Sequence, residues 1–114
     1  MPDALPFELA PRDIKGRIDS GELLHLVDVR EDSEFAQARI EGAALVPMNT
    51  VPANLQSLEA KADEALLVVY CHHGVRSLNV VNWLRRQGVD NVVSMAGGID
   101  RWSIEVDASV PRYN

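Results

Sequence analysis

The segment Tyr70-Cys71-His72-His73-Gly74-Val75-Arg76-Ser77 places the single cysteine of the chain beside two histidines, an arginine and a serine. A lone cysteine can form neither an internal disulfide nor a multi-cysteine metal site. Cys71 is therefore either a small buried apolar residue or a reactive thiol. Its neighbours favour the thiol. A cation about 4 Å from a thiolate, at an effective dielectric near 20, favours it by roughly 4 kcal/mol before desolvation subtracts from that, and the thiolate is the nucleophilic form. Arg76, five residues downstream, is expected to supply that cation by curling back over the sulfur. Gly74 would let the backbone turn tightly with its amides pointing inward. The chemistry implied is nucleophilic attack by Cys71 within an anion-binding loop, with His72, His73, Gly74, Val75, Arg76 and Ser77 around the substrate.

Two of these residue types carry a second reading. Ser77 could equally be the N-cap of a following helix, a role compatible with ligand contact. His72 and His73 either donate to a bound anion at the pocket mouth or are simply solvated. No metal is expected there, because adjacent residues rarely ligate one ion and no third ligand stands nearby at ligand spacing. His25 falls inside an apolar run and reads as a satisfied core or edge histidine.

The elements that must position the loop are legible from periodicity. Residues 23–29 and 66–70, the second running into Cys71, are short, apolar and mostly β-branched or leucine, as buried strands are. Residues 92–96 make a third candidate strand and residues 44–46 a shorter fourth. Continuous apolar runs suit a sheet covered on both faces. A helix is expected over 78–87, with Val80, Val81, Trp83 and Leu84 on one side. Ser77 would cap its start, Gly88 would stop it, and Arg85 and Arg86 complement its negative end. Further helices are expected over 11–20, 32–38 and 52–58, and a short one after Gly98. Strands alternating with helices at such spacing imply a parallel α/β sheet. The loop would then lie beyond a strand's carboxyl end and at a helix N-terminus, where unpaired N–H groups meet an anion.

The 114 residues suit one domain, expected over 1–114 with residues 1–9 loosely ordered. The excess of 17 acidic over 11 basic residues gives a net charge of −6, which repels a phosphate backbone, so nucleic acid is not an expected partner. No stretch approaches the ~18 apolar residues needed to span a bilayer, and the N-terminus lacks a basic region followed by an apolar run. The expectation is a cytoplasmic protein that does not engage membranes.

Taken together, four segments resemble the rhodanese family. They are Cys71 to Ser77; Leu26-Val27-Asp28-Val29-Arg30-Glu31 with Glu34-Phe35; Ile40-Glu41-Gly42-Ala43; and Gly97-Gly98-Ile99-Asp100-Arg101-Trp102. The resemblance implies a three-layer α/β sandwich around a central, mostly parallel five-stranded sheet. It also implies a sulfurtransferase in which Cys71 takes sulfur from a small donor such as thiosulfate, or from a protein persulfide, and passes it from a covalent persulfide to a thiol or cyanide, without a cofactor. By the same analogy Asp28 and Arg30 support the loop from the neighbouring strand end; their other reading is an ordinary strand-end ion pair. The related cell-cycle dual-specificity phosphatases have one residue more between Cys and Arg, and the shorter ring of amides here favours sulfur over phosphate. Arg39 and Glu41 stand where the family often has His and Pro. A binding or regulatory module that kept the fold without the chemistry, and a phosphatase or arsenate-handling enzyme, are the competing readings.

Overall fold

The computed structural model describes residues 5–113. The strands are β1 (Glu8–Leu9), β2 (Leu24–Asp28), β3 (Ala44–Leu45), β4 (Leu66–Tyr70) and β5 (Val92–Met95). The helices are α1 (Pro11–Asp19), α2 (Asp32–Gln37), α3 (Leu55–Glu64), α4 (Val75–Arg86) and α5 (Gly98–Glu105). The strands form one five-stranded sheet in the order β1-β5-β4-β2-β3, with every pair parallel. The α/β class and the parallel five-stranded sheet are as the sequence implied.

All five residues of β4 are buried, which is why that strand reads as an unbroken apolar run. Side chains alternate across a sheet. Leu67, Val69 and Cys71 therefore join one core cluster with Leu58 and Ala62 of α3 and Val80, Val81 and Leu84 of α4. Leu66, Val68 and Tyr70 join the other, with Ile14 of α1 and Ile99 and Trp102 of α5. This alternation puts Cys71 on the face that α4 covers.

Several elements depart from expectation. Glu8 and Leu9 belong to the stretch expected to hold loosely; they form the edge strand β1, paired with Ser94 and Met95, while residues 1–4 lie outside the described range. The helix expected over 52–58 opens with a 3-10 turn at Pro52–Asn54 and continues as α3 to Glu64, since no glycine or proline interrupts 55–64. The helix expected from Leu78 begins at Val75, with Gly74 at its N-cap, so Ser77 lies inside the first turn and is not the cap. Its far end is as expected. Gly88 has φ +93°, Val89 N–H donates to Leu84 O at 3.0 Å and Gly88 N–H to Arg85 O at 3.1 Å, the double bond of a Schellman stop. Among the described residues no helix is long and apolar enough to cross a membrane.

Candidate active site

Cys71 follows the last residue of β4 and is 1% exposed. The chain then turns through His72 and His73 to Gly74, whose φ of +103° lies in the left-handed region that favours glycine. A side chain there would also press within 3.1 Å of Gly97 N. The turn carries the backbone around the sulfur. Gly74 N–H donates to Cys71 Sγ at 3.1 Å and Ser77 N–H donates to it at 3.3 Å. Ser77 is the third residue of α4, so its amide is one of the donors a helix start leaves unpaired, and it is spent on the sulfur.

The back of the loop is fixed by α5. Ile99 N–H donates to Cys71 O at 2.8 Å and Asp100 N–H to His72 O at 3.1 Å. Gly98 makes this approach possible, because a Cβ there would sit 2.4 Å from both carbonyl oxygens. The loop's oxygens thus face one helix start while amides of its later residues face the sulfur.

Beside the sulfur is a pair of buried hydroxyls. Ser77 Oγ lies 3.4 Å from Cys71 Sγ, 3.3 Å from Gly74 O and 2.7 Å from Ser94 Oγ. A thiol S–H can donate to Ser77 Oγ while that hydroxyl donates to Gly74 O. With a thiolate, one rotation of the Ser77 hydroxyl turns its proton onto the sulfur, and Ser94 still has Ser77 Oγ as partner.

Arg76 does not curl back over the sulfur. It leaves the first turn of α4 and makes a two-pronged pair with Glu34 of α2, Nη1 to Oε1 at 2.7 Å and Nη2 to Oε2 at 2.9 Å. The bond from Arg76, joined by the Glu31 amide and the Tyr113 hydroxyl, holds the Glu34 carboxyl down to about 2 against the opposing effect of burial. The same pair raises the pKa of Arg76.

Asp28 and Arg30 are both fully buried. Arg30 Nε donates to Asp28 Oδ1 at 2.9 Å and Nη2 to Oδ2 at 2.6 Å, while its amide also donates to Oδ1. Nη2 further reaches Ala38 O, and Nη1 donates to the Tyr113 hydroxyl at 2.8 Å. Burial works against the Arg30 charge, but the bonds to Asp28 and Tyr113 outweigh it and raise its pKa. The pair makes no direct bond to Cys71; it reaches the loop through Tyr113 and Glu34.

At the mouth, the His72 ring stacks on Tyr113 with centroids 3.9 Å apart and planes 10° apart, and its centroid lies 3.9 Å from that of the His73 ring. Burial, then the neighbouring His73, lowers the His72 pKa and so favours the neutral imidazole. His73 is exposed, with Nδ1 4.0 Å from Asp100 Oδ2. Val75 is 69% exposed.

A family model described as a rhodanese-like domain matches residues 10–105, and the amide ring around Cys71 falls within it. The chain belongs to the rhodanese-like domain family. It is 36% identical over 99 residues to thiosulfate sulfurtransferase GlpE of Haemophilus influenzae, covering 86% of this chain and 90% of the relative. It is 30% identical over 105 residues to the Mycobacterium tuberculosis protein named probable adenylyltransferase/sulfurtransferase MoeZ, covering 92% of this chain but only 26% of that much longer protein. Among solved structures, SSP1007 from Staphylococcus saprophyticus superposes with a TM-score of 0.78 at 32% identity, covering 94% of this chain and 100% of that one.

Within this rhodanese loop the sequence-predicted residues separate into groups. Cys71, Gly74 and Ser77 converge at the sulfur, His72 lines the mouth, and His73 and Val75 face outward. Arg76, Asp28 and Arg30 stand behind the loop. Arg39 is exposed and lies over the Phe35 ring at 4.6 Å. His25 is partnered, by Glu64 at 2.7 Å. Sequence reading gave no role to Glu34, Ser94 or Tyr113. Glu34 stood inside a quoted motif, and an acid in the first turn of α2 hinted at it. Ser94, a polar residue within an apolar strand, was a visible anomaly. Nothing local marks Tyr113.

Proposed function

We propose that this rhodanese domain is a sulfurtransferase that carries a sulfane sulfur as a persulfide on Cys71. The observation that carries the reading is the convergence of the Gly74 and Ser77 amides on a buried Sγ at the carboxyl end of β4. The name borne by GlpE supports it. Cys71 as thiolate attacks the outer sulfur of thiosulfate, or of a persulfide donor. A new S–S bond forms, the donor's own S–S bond breaks, and its electron pair leaves on sulfite or on the donor thiolate. An acceptor thiolate or cyanide then attacks the outer persulfide sulfur, and the electron pair of that bond returns to Cys71. The inward amides and the Ser77 hydroxyl stabilise the anionic sulfur at each stage. The route uses no cofactor and no metal.

The test is intact mass after incubation with thiosulfate, with and without a reductant, on wild type and Cys71→Ser. A gain of one sulfur, about 32 Da, reversed by thiols and missing in the variant, is the expected result for an activated cysteine nucleophile. No adduct with either thiosulfate or a low-molecular-weight persulfide would reject the reading. Hydrolysis of an aryl phosphate that depends on Cys71 would instead make the chain a phosphatase, and neither activity would leave a binding module.

A further inference from the structure

Tyr113 stands eight residues beyond the end of α5, yet it reaches both arms of the sulfur loop, the His72 arm directly and the Arg76 arm through Glu34. Its ring covers His72, the residue after the nucleophile, at 3.9 Å. Its hydroxyl donates to Glu34 Oε2 at 2.7 Å, and Glu34 holds Arg76, the residue before Ser77. The same hydroxyl accepts from Arg30 Nη1 at 2.8 Å, which ties it to the fully buried Asp28–Arg30 pair. Arg30 also lies 5.6 Å from the centre of the Tyr113 ring.

The tail that carries Tyr113 is itself anchored. Val110 is buried, its carbonyl accepts from Ser103 Oγ at 2.6 Å, and Arg112 pairs with Asp100 at 2.8 Å. Burial, with the adjoining Glu34 carboxylate, pushes the Tyr113 hydroxyl up to about 12, against the bond from Arg30. It therefore keeps its proton, and its donation to Glu34, at neutral pH.

We infer that Tyr113 is a positioning residue for sulfur transfer, a latch that clamps the His72 and Arg76 arms of the loop against the Asp28–Arg30 pair. The inference rests on the sulfurtransferase reading. Without the latch, the ring loses its cover over His72 and Glu34 loses one of the bonds that orient it toward Arg76. The amides of Gly74 and Ser77 are then held less firmly on Sγ. Small misplacements of this kind can slow a reaction by up to about a hundredfold. Tyr113→Phe keeps the stack and loses both hydroxyl bonds; Tyr113→Ala loses everything.

The experiment compares wild type, Tyr113→Phe and Tyr113→Ala at 25 °C, after circular dichroism has shown that each is folded. Three readouts are taken: steady-state transfer from thiosulfate to cyanide, sulfur loading by intact mass, and the rate of Cys71 alkylation by iodoacetamide. The expected result is a fall in kcat of about tenfold for Tyr113→Ala and about threefold for Tyr113→Phe, with KM nearly unchanged. Alkylation should become severalfold faster in the same order. Both variants with wild-type kcat and wild-type alkylation, whatever their melting temperatures, would overturn the latch. Should Tyr113→Ala fail to fold, Tyr113→Phe alone decides it. Should wild type accept no sulfur, the sulfurtransferase reading fails, and the alkylation rates still judge the latch.

Discussion

Glu34 does three things at once: it accepts from the Glu31 amide at the start of α2, pairs with Arg76, and accepts from Tyr113. Its carboxyl is held at about 2, below the ordinary 4.5. The depressed value means that the unfolded chain binds this proton more readily, so the stabilisation is complete above about pH 4.5 and fades as pH falls through about 2. At neutral pH it amounts to about 1–3 kcal/mol once screening of a partly exposed pair is allowed for. Glu34→Gln should therefore lower the urea midpoint at pH 7, with the gap to wild type closing as both are titrated to about pH 2. A gap that does not change with pH would show that the carboxylate charge is not what stabilises the loop. The residue also shows a limit of sequence reading. A first-turn acid fits the helix dipole on local grounds alone, and its partner Arg76 is 42 residues away.

Helix starts and strand ends build the site, and each is tuned by one glycine. Gly98 combines φ +63° with a Cβ position 2.4 Å from two carbonyl oxygens, whereas Gly88 has φ +93° and open space. Gly98→Ala should cost about 3 kcal/mol or more and disturb sulfur loading, because backbone rather than a flexible side chain must move. Gly88→Ala should cost only about 1–2 kcal/mol of left-handed strain and leave loading intact. Paired urea melts and mass spectra would check this, and equal costs would refute the role given to the loop carbonyls. The long elements were legible because their patterns are local: β4 is a pure apolar run, and α4 has an apolar side, two terminal arginines and a glycine stop. The two-residue β1 has no period to read, whereas β3 falls within the short apolar run at 44–46 that the sequence offered as a strand. The start of α4 was misplaced because Ser77 satisfies the residue preference of an N-cap, while its hydroxyl and amide are in fact directed to Cys71 and Ser94.

Across the whole molecule, the Asp28–Arg30 pair joins the end of β2, the end of α2 and the tail, through contacts spanning up to 83 residues of sequence. Such contacts arise only when the fold closes, which is why the sequence motif allowed either loop support or an ordinary ion pair. Arg30→Met would strand a buried carboxylate, and breaking a buried pair on one side costs about 3–5 kcal/mol. The melting temperature should fall by roughly ten degrees or more, given about 4–8 °C per kcal/mol for a domain near this size. The doubly substituted Asp28→Leu/Arg30→Met chain should recover part of that loss. No recovery would mean that Arg30 matters for its bonds to Ala38 and Tyr113 rather than for its charge partner.

The two carbonyls held by the start of α5 have one more consequence. A peptide plane anchored at its oxygen resists turning over, so the first two links of the loop cannot flip to present acceptor atoms to a bound sulfur anion. Any sulfur loaded on Cys71 would then meet the same inward amides of Gly74 and Ser77 for as long as it stays.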